Sequence, residues 1–187
     1  MSGDSRGQSI VFQGQYGIFK RESLDLSMPA VQSCLGLYAL SDQHDYLLCA
    51  HFDTALALQQ NLEDIQCALE RKGISMKSLH GMVFGGDGKQ SYLRCSSPSS
   101  DIGNTIVNFI KARGGTAEYS AQYYSGVIPQ TFNFYYKRRY GITEGRNARD
   151  FMGGHQQAEN IARQRIKLRP SEYSPAQAKM TDISHLY

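Results

Sequence analysis

Cys34 and His51, seventeen residues apart, are the residue types that form a thiolate–imidazole couple. A free cysteine is mostly protonated at neutral pH, and a neighbouring imidazole favours the reactive thiolate. A thiolate attacks a carboxamide carbon, the histidine hands a proton to the departing nitrogen, and water hydrolyses the thioester left behind. A third polar group normally orients the imidazole. Ser27, just before the first strand of the pair, and Thr54, just after His51, are the hydroxyls that could do so. The other reading is structural: a cysteine in an apolar strand is usually inert core. A histidine in a strand is likewise usually a satisfied hydrogen-bonding group.

Two apolar strands must position the pair. Ser33–Leu40 and Tyr46–Phe52 read as strands, with the polar stretch SDQHD between them as a hairpin loop. In an antiparallel pair, directly opposed residues share a face with Cβ atoms about 4.5–5.5 Å apart. The register opposing Cys34 to His51 also opposes Gly36 to Cys49, Tyr38 to Leu47 and Leu40 to Asp45. It closes on the loop Ser41–His44, an acceptable hairpin length. A one-residue slip would send the two side chains to opposite faces. Gly36, beside both, is expected to leave room for a substrate side chain.

The remaining elements follow from periodicity and breakers. Residues 10–20 read as strand with a turn at their glycines. Asp53 or Thr54 is placed to cap a helix to about Lys72, with Leu58, Leu62, Ile65 and Leu69 as its buried stripe and Gly73 as its stop. A strand near His80–Phe84 ends in Gly85–Gly86. Asp101 is placed to cap a second helix, striped by Ile102, Ile106, Phe109 and Ile110 and stopped at Gly114–Gly115. Aromatic strands are expected at about 116–124 and 130–138, and a helix from about Asn147 to Leu168. Strands before and between packed helices predict one α/β domain with a mixed or antiparallel sheet.

From Gln15 to about Gly126 the chain resembles the CheD family of chemoreceptor glutamine deamidases. The residues that carry the resemblance are Ser33-Cys34 at a strand head and His51 within Cys49-Ala50-His51-Phe52. Val83-Phe84-Gly85-Gly86 ends the next strand, and Ile102-Gly103-Asn104 opens a helix. The resemblance implies an α/β sandwich shared with toxin deamidases of the cytotoxic necrotizing factor type. It also implies conversion of an exposed protein glutamine to glutamate, with Cys34 as nucleophile and His51 as general base and acid. Met28 holds the position of the family's catalytic threonine. Ser27, one residue away, supplies the hydroxyl if Pro29 bulges the chain. The implied partner is a protein, either a chemoreceptor-type target or a host protein met by a bacterial effector; the alternative is a non-catalytic binding module on the same fold.

Bulk properties narrow the rest. The chain has 187 residues, 41% of them hydrophobic, which suits one globular domain. The division expected is a deamidase domain over 1–140 and a basic, helical or flexible extension over 141–187. A net charge of +3 is too small to imply nucleic acid, and no apolar run approaches membrane-spanning length. The polar start MSGDSRGQSI has no signal-peptide h-region, so a cytoplasmic setting is expected, or delivery by a specialised secretion machine. Four cysteines without CxxC or Cys/His zinc spacing read as reduced thiols, with no metal or cofactor expected. Nine Lys/Arg against three acids lie between Lys137 and Arg169, either a solvated face or a docking surface for an acidic partner. The last residues, with two prolines and little apolar content, are expected to be flexible or held by a partner. Phe84–Lys89 lacks phosphate-loop spacing and reads as a tight turn.

Overall fold

The computed structural model describes residues 9–21, 25–31, 34–86, 99–119, 130–137, 139–144, 155–165, 167–168 and 172–187. The chain is an α/β protein built on a six-stranded mixed sheet. Its strands are β2 (Gln15–Lys20), β4 (Leu35–Ser41), β5 (Tyr46–Phe52), β6 (Leu79–Gly85), β7 (Thr116–Tyr119) and β10 (Thr181–Asp182). They run in the order β10-β2-β5-β4-β6-β7, antiparallel through the centre and parallel at the two outer pairs. A smaller sheet, in the order β1-β3-β8-β9, joins β1 (Ser9–Ile10), β3 (Asp25–Val31), β8 (Gln130–Lys137) and β9 (Arg139–Glu144).

Helices α1 (Leu58–Arg71) and α2 (Ser99–Ala112) cover one face of the large sheet. The stripe Leu58, Leu62, Ile65 and Leu69 meets Leu35, Leu37, Leu48 and Phe52 there, and Ile102, Ile106, Phe109 and Ile110 join from α2. Burying each such side chain stabilises the fold by about 1.5–3 kcal/mol. The other face carries a second apolar cluster, in which Leu26 and Met28 of β3 meet Phe19, Leu47, Cys49 and Phe84. The result is a three-layer arrangement, with helices, large sheet and small sheet in that order. Among the described residues no helix is long and apolar enough to cross a membrane.

Four expectations need correction. The β4–β5 register is two residues away from the expected one: His51 opposes Gly36, and Tyr38 opposes Cys49. The cause lies on the other edge of β4, where Ser41 is still paired, with Leu79, and shares a hydrogen bond with the Ser78 hydroxyl at 2.8 Å. The strand thereby runs one residue further, and the four-residue loop moves to 42–45. Next, α1 has no side-chain cap; Ala57 takes that place at φ 57°, and Asp53 is used elsewhere. The space above Gly36 is not open, because a Cβ there would sit 2.2 Å from the Phe84 ring and 2.8 Å from the Met28 sulfur.

Last, the end of the chain is built into the fold rather than flexible. β10 pairs in parallel with β2, and a short helix α4 (Pro175–Ala178) precedes it, closed by a capping box of Ser174 and Gln177. The buried amide of Asn61 on α1 donates to the Ala178 carbonyl at 3.0 Å and accepts from Met180 N–H at 2.9 Å. Tyr187 hydroxyl reaches back to the Ile10 carbonyl at 3.1 Å. Polar anchors thus act beside a few buried apolar ones, Met180 in the first core and Ile183 in the second, too sparse to form a periodic stripe. The expected late helix is α3 (Gln156–Arg165).

Candidate active site

β5 delivers two polar side chains to one place. Its residues alternate: Leu48, Ala50 and Phe52 face the helices, while Leu47 and Cys49 face the second cluster. His51 and, one step past the strand end, Asp53 continue the second set. Both are buried, at 1% exposure each.

The His51 ring is held by backbone. Nδ1 lies 3.3 Å from the Val11 carbonyl oxygen, which can only accept, so Nδ1 carries the proton. Nε2 is then the unprotonated nitrogen; it is buried and has no hydrogen-bond partner among the described residues. Burial lowers the His51 pKa to about 4, against the upward pull of the Val11 bond and of Asp53. The imidazole is therefore neutral at physiological pH, with a base lone pair pointing into the protein. Gln15, opposite His51 on β2, forms a fixed wall: its amide donates to Ala158 O at 2.8 Å and accepts from Phe12 N–H at 3.2 Å.

Cys34 sits at the bend just before β4, 8% exposed. Its carbonyl accepts from Gly86 N–H at 3.0 Å, tying the bend to the glycine turn that ends β6. The last β4–β5 pair is Leu35 with Phe52, so one further step brings Cys34 beside Asp53. Because the register change is even, Cys34 and His51 keep a common face but stand diagonally. Diagonal neighbours are about 7–8 Å apart at Cα, within reach of a long side chain such as histidine.

Asp53 is fully occupied. Arg165 Nε donates to its Oδ2 at 2.7 Å and Arg165 Nη2 to its Oδ1 at 2.8 Å, a bidentate pair. The Tyr173 hydroxyl is 3.1 Å from the same Oδ2 and 3.1 Å from the Arg165 carbonyl oxygen. The remaining guanidinium hydrogens go to the carbonyls of Gln177, Ala178 and Lys179. Burial opposes the charge on Arg165, but Asp53 outweighs it and raises the pKa further. Burial, then the Asp53 charge, hold the proton on Tyr173. Arg165 crosses directly over Gly14, where a Cβ would come within 2.0 Å of Nε; Gly14 also has a φ of 75° that favours glycine. Gly14 N–H in turn donates to the His51 carbonyl at 2.8 Å.

The structure thus gathers Cys34 and His51 on one face. Ser27 lies on β3, in register with Ile10 and Asn133, and its side chain is outside the described residues. Thr54 accepts from Leu56 N–H at 3.1 Å, a local turn that prepares α1. Cys49 is wholly buried among apolar groups, and burial raises its thiol pKa well above normal. His80 bonds Asp42 and Thr116 at the surface, and no cluster with metal-binding composition occurs among the described residues. The Asp87–Lys89 turn and Cys95 fall outside the described residues.

Asp53, Arg165 and Tyr173 are the residues missed by sequence reasoning. Asp53 carried one usable signal, its two-residue spacing from His51 on a strand. Arg165 belongs to the basic stretch read as a solvated face or a docking surface; its neighbour Arg163 is indeed an exposed partner of Glu159, but Arg165 turns inward.

No family model and no curated protein matches the chain. Solved structures with some likeness include the Bacillus licheniformis hypothetical protein YfiH, at 12% identity and a TM-score of 0.44, covering 57% of this chain and 50% of that one. Another is the Neisseria meningitidis protein NMB0706, of the DUF152 group, at 6% identity and a TM-score of 0.40, covering 60% of this chain and 62% of that one. A third is YlmD from Geobacillus stearothermophilus, at 10% identity and a TM-score of 0.34, covering 58% and 44%. The chain spans about half of the length of these proteins, and none of the three carries its chemistry over to it.

Proposed function

We propose that this protein is a cysteine-dependent deamidase of glutamine side chains on a partner protein. The observation that supports this best is the His51 ring, whose Nδ1 proton is tied to Val11 O while Nε2 stays buried without a hydrogen-bond partner among the described residues, on the same face as Cys34. The choice of a carboxamide substrate rests on the resemblance of Ser33-Cys34 and His51 to the CheD pattern. In this reading His51 Nε2 takes the Cys34 proton, and the thiolate attacks the carboxamide carbon. The tetrahedral intermediate expels nitrogen as ammonia, with the proton returned from His51. Water, deprotonated by the same nitrogen, then cleaves the thioester to glutamate and free Cys34. Such a thiol requires a reducing compartment.

Cys34→Ala should abolish ammonia release and the amide-to-acid mass change on a substrate while the protein keeps its fold. His51→Gln should lower the rate by about 10²–10⁴-fold. Retained deamidation by Cys34→Ala would sink the proposal. A second reading, a non-catalytic binding module, draws support from the Phe84 and Met28 packing over Gly36 and from the burial of both dyad members. Iodoacetamide separates the two: an activated Cys34 alkylates well below about pH 8, whereas a docking module reacts slowly throughout.

A further inference from the structure

We propose that Arg165 is a positioning residue for Cys34, so that the end of α3 supplies the cation that favours the thiolate. This rests on the thiol-enzyme reading above. In that reading the resting His51 is neutral, because burial keeps its proton off until about pH 4, so before proton transfer it adds no positive charge beside the thiol. A fixed positive charge has to come from another residue. Arg165 is the buried cation at this place: its side chain is only 9% exposed, and its bidentate partner Asp53 stands one register step beyond Leu35 and Phe52, where Cys34 also lies. Cys34 and Arg165 also feel each other's charge, as do Cys34 and Tyr173.

Every part of that arrangement is braced. Three backbone carbonyls of residues 177–179 fix the guanidinium, Gly14 gives it passage, and Tyr173 donates to Asp53 and so blunts the carboxylate that would oppose a thiolate. The titratable or charged groups around Cys34 among the described residues are His51 from β5, Asp53 just past its end, Arg165 from α3 and Tyr173 from the C-terminal segment. Tyr119 from β7 bonds the Gly85 carbonyl beside them. Of these only Arg165 is a cation at neutral pH. An aspartate–arginine pair without a third partner would be close to neutral in its effect. The Tyr173 hydroxyl on the carboxylate offsets part of its charge, which leaves the guanidinium the less compensated partner.

The test is the pH profile of Cys34 alkylation by iodoacetamide in the full-length chain, read from the Cys34 peptide by mass spectrometry, with exposed Cys67 as an internal reference. Arg165→Gln should raise the midpoint by about one pH unit or more, and Arg165→Lys should hold it near the wild-type value. Asp53→Asn should lower it, since the cation is then uncompensated. A purely structural role would move the Gln and Asn variants in the same direction, and that result overturns the proposal. Should both charge variants fail to fold, Tyr173→Phe, which deletes one hydroxyl, should still raise the midpoint, and no rise overturns it. A wild-type Cys34 no faster than Cys67 would defeat the thiol-enzyme reading itself. A reactive Cys34 that ignores both charge changes would defeat only the role of Arg165.

Discussion

The two faces of the large sheet are built by different physics. The helical face is closed chiefly by apolar stripes, from Leu58, Leu62, Ile65 and Leu69 on α1 to Ile102, Ile106, Phe109 and Ile110 on α2. The opposite face begins the same way, with Phe19, Leu47, Cys49 and Phe84, but at the end of β5 it turns polar and buries His51, Asp53 and most of Arg165. Apolar contacts are interchangeable and tolerate adjustment, whereas a buried charge tolerates nothing but its partner. The polar end is therefore where this fold is most fragile and most specific.

Breaking the contrast at its strongest point means removing one charge. Asp53→Ala should cost about 3–5 kcal/mol in urea unfolding, because it strands a guanidinium that is largely out of water. Leu69→Ala on the helical face should cost about 2–5 kcal/mol by transfer and cavity alone. The distinguishing outcome is local: Asp53→Ala should also loosen residues 173–180, visible as faster hydrogen exchange, while Leu69→Ala should leave them protected.

The pH dependence of stability sharpens the same contrast. His51 has a folded pKa near 4, below the ordinary value of 6.5. The unfolded chain therefore binds the proton first on acidification. Stability is intact above about pH 6.5, falls as the pH drops toward 4, and levels off below it, a loss of about 3 kcal/mol. His51→Gln should flatten that part of the profile. If wild type and variant fall in parallel between those limits, His51 is not buried neutral.

A smaller effect probes the border between the faces. Gly36→Ala should cost about 1–3 kcal/mol, because its Cβ would have to displace the Phe84 ring and the Met28 sulfur from sheet packing. A neutral outcome would mean that the space above Gly36 opens readily, which would favour substrate entry there.

How far the sequence revealed each face follows from the range of the interactions. The helices were legible because a stripe such as Leu58–Leu69 is a local pattern, and α1 and α2 lie where periodicity puts them. The hairpin strands were legible too, but their register was not, because the pull of β6 on Ser41 arrives from a residue far along the chain. The face shared by Cys34 and His51 survived that error since the displacement was even. The Asp53 network was invisible for a related reason: Arg165 and Tyr173 lie 112 and 120 residues from Asp53, and no local pattern announces them. A basic run and a proline-containing tail look the same in sequence whether they are solvated or locked down by backbone carbonyls.

The finest version of the comparison lies within one face, between two buried thiols. Cys49 and Cys34 belong to the same face of the sheet, yet Cys49 has Leu26, Leu47 and Phe84 in its cluster, while Cys34 stands at the bend beside Asp53. Burial without a nearby cation favours the neutral thiol, and Cys49 is accordingly held protonated. Its contribution is volume. Cys49→Ala should then cost about 1 kcal/mol, the scale of a small core truncation, and should leave both the alkylation midpoint of Cys34 and any deamidation rate unchanged. A Cys49→Ala variant that slowed Cys34 chemistry while melting normally would place both thiols in one reactive unit. The boundary between packing and chemistry on this face would then have to be moved inward along β5, from His51 to Cys49.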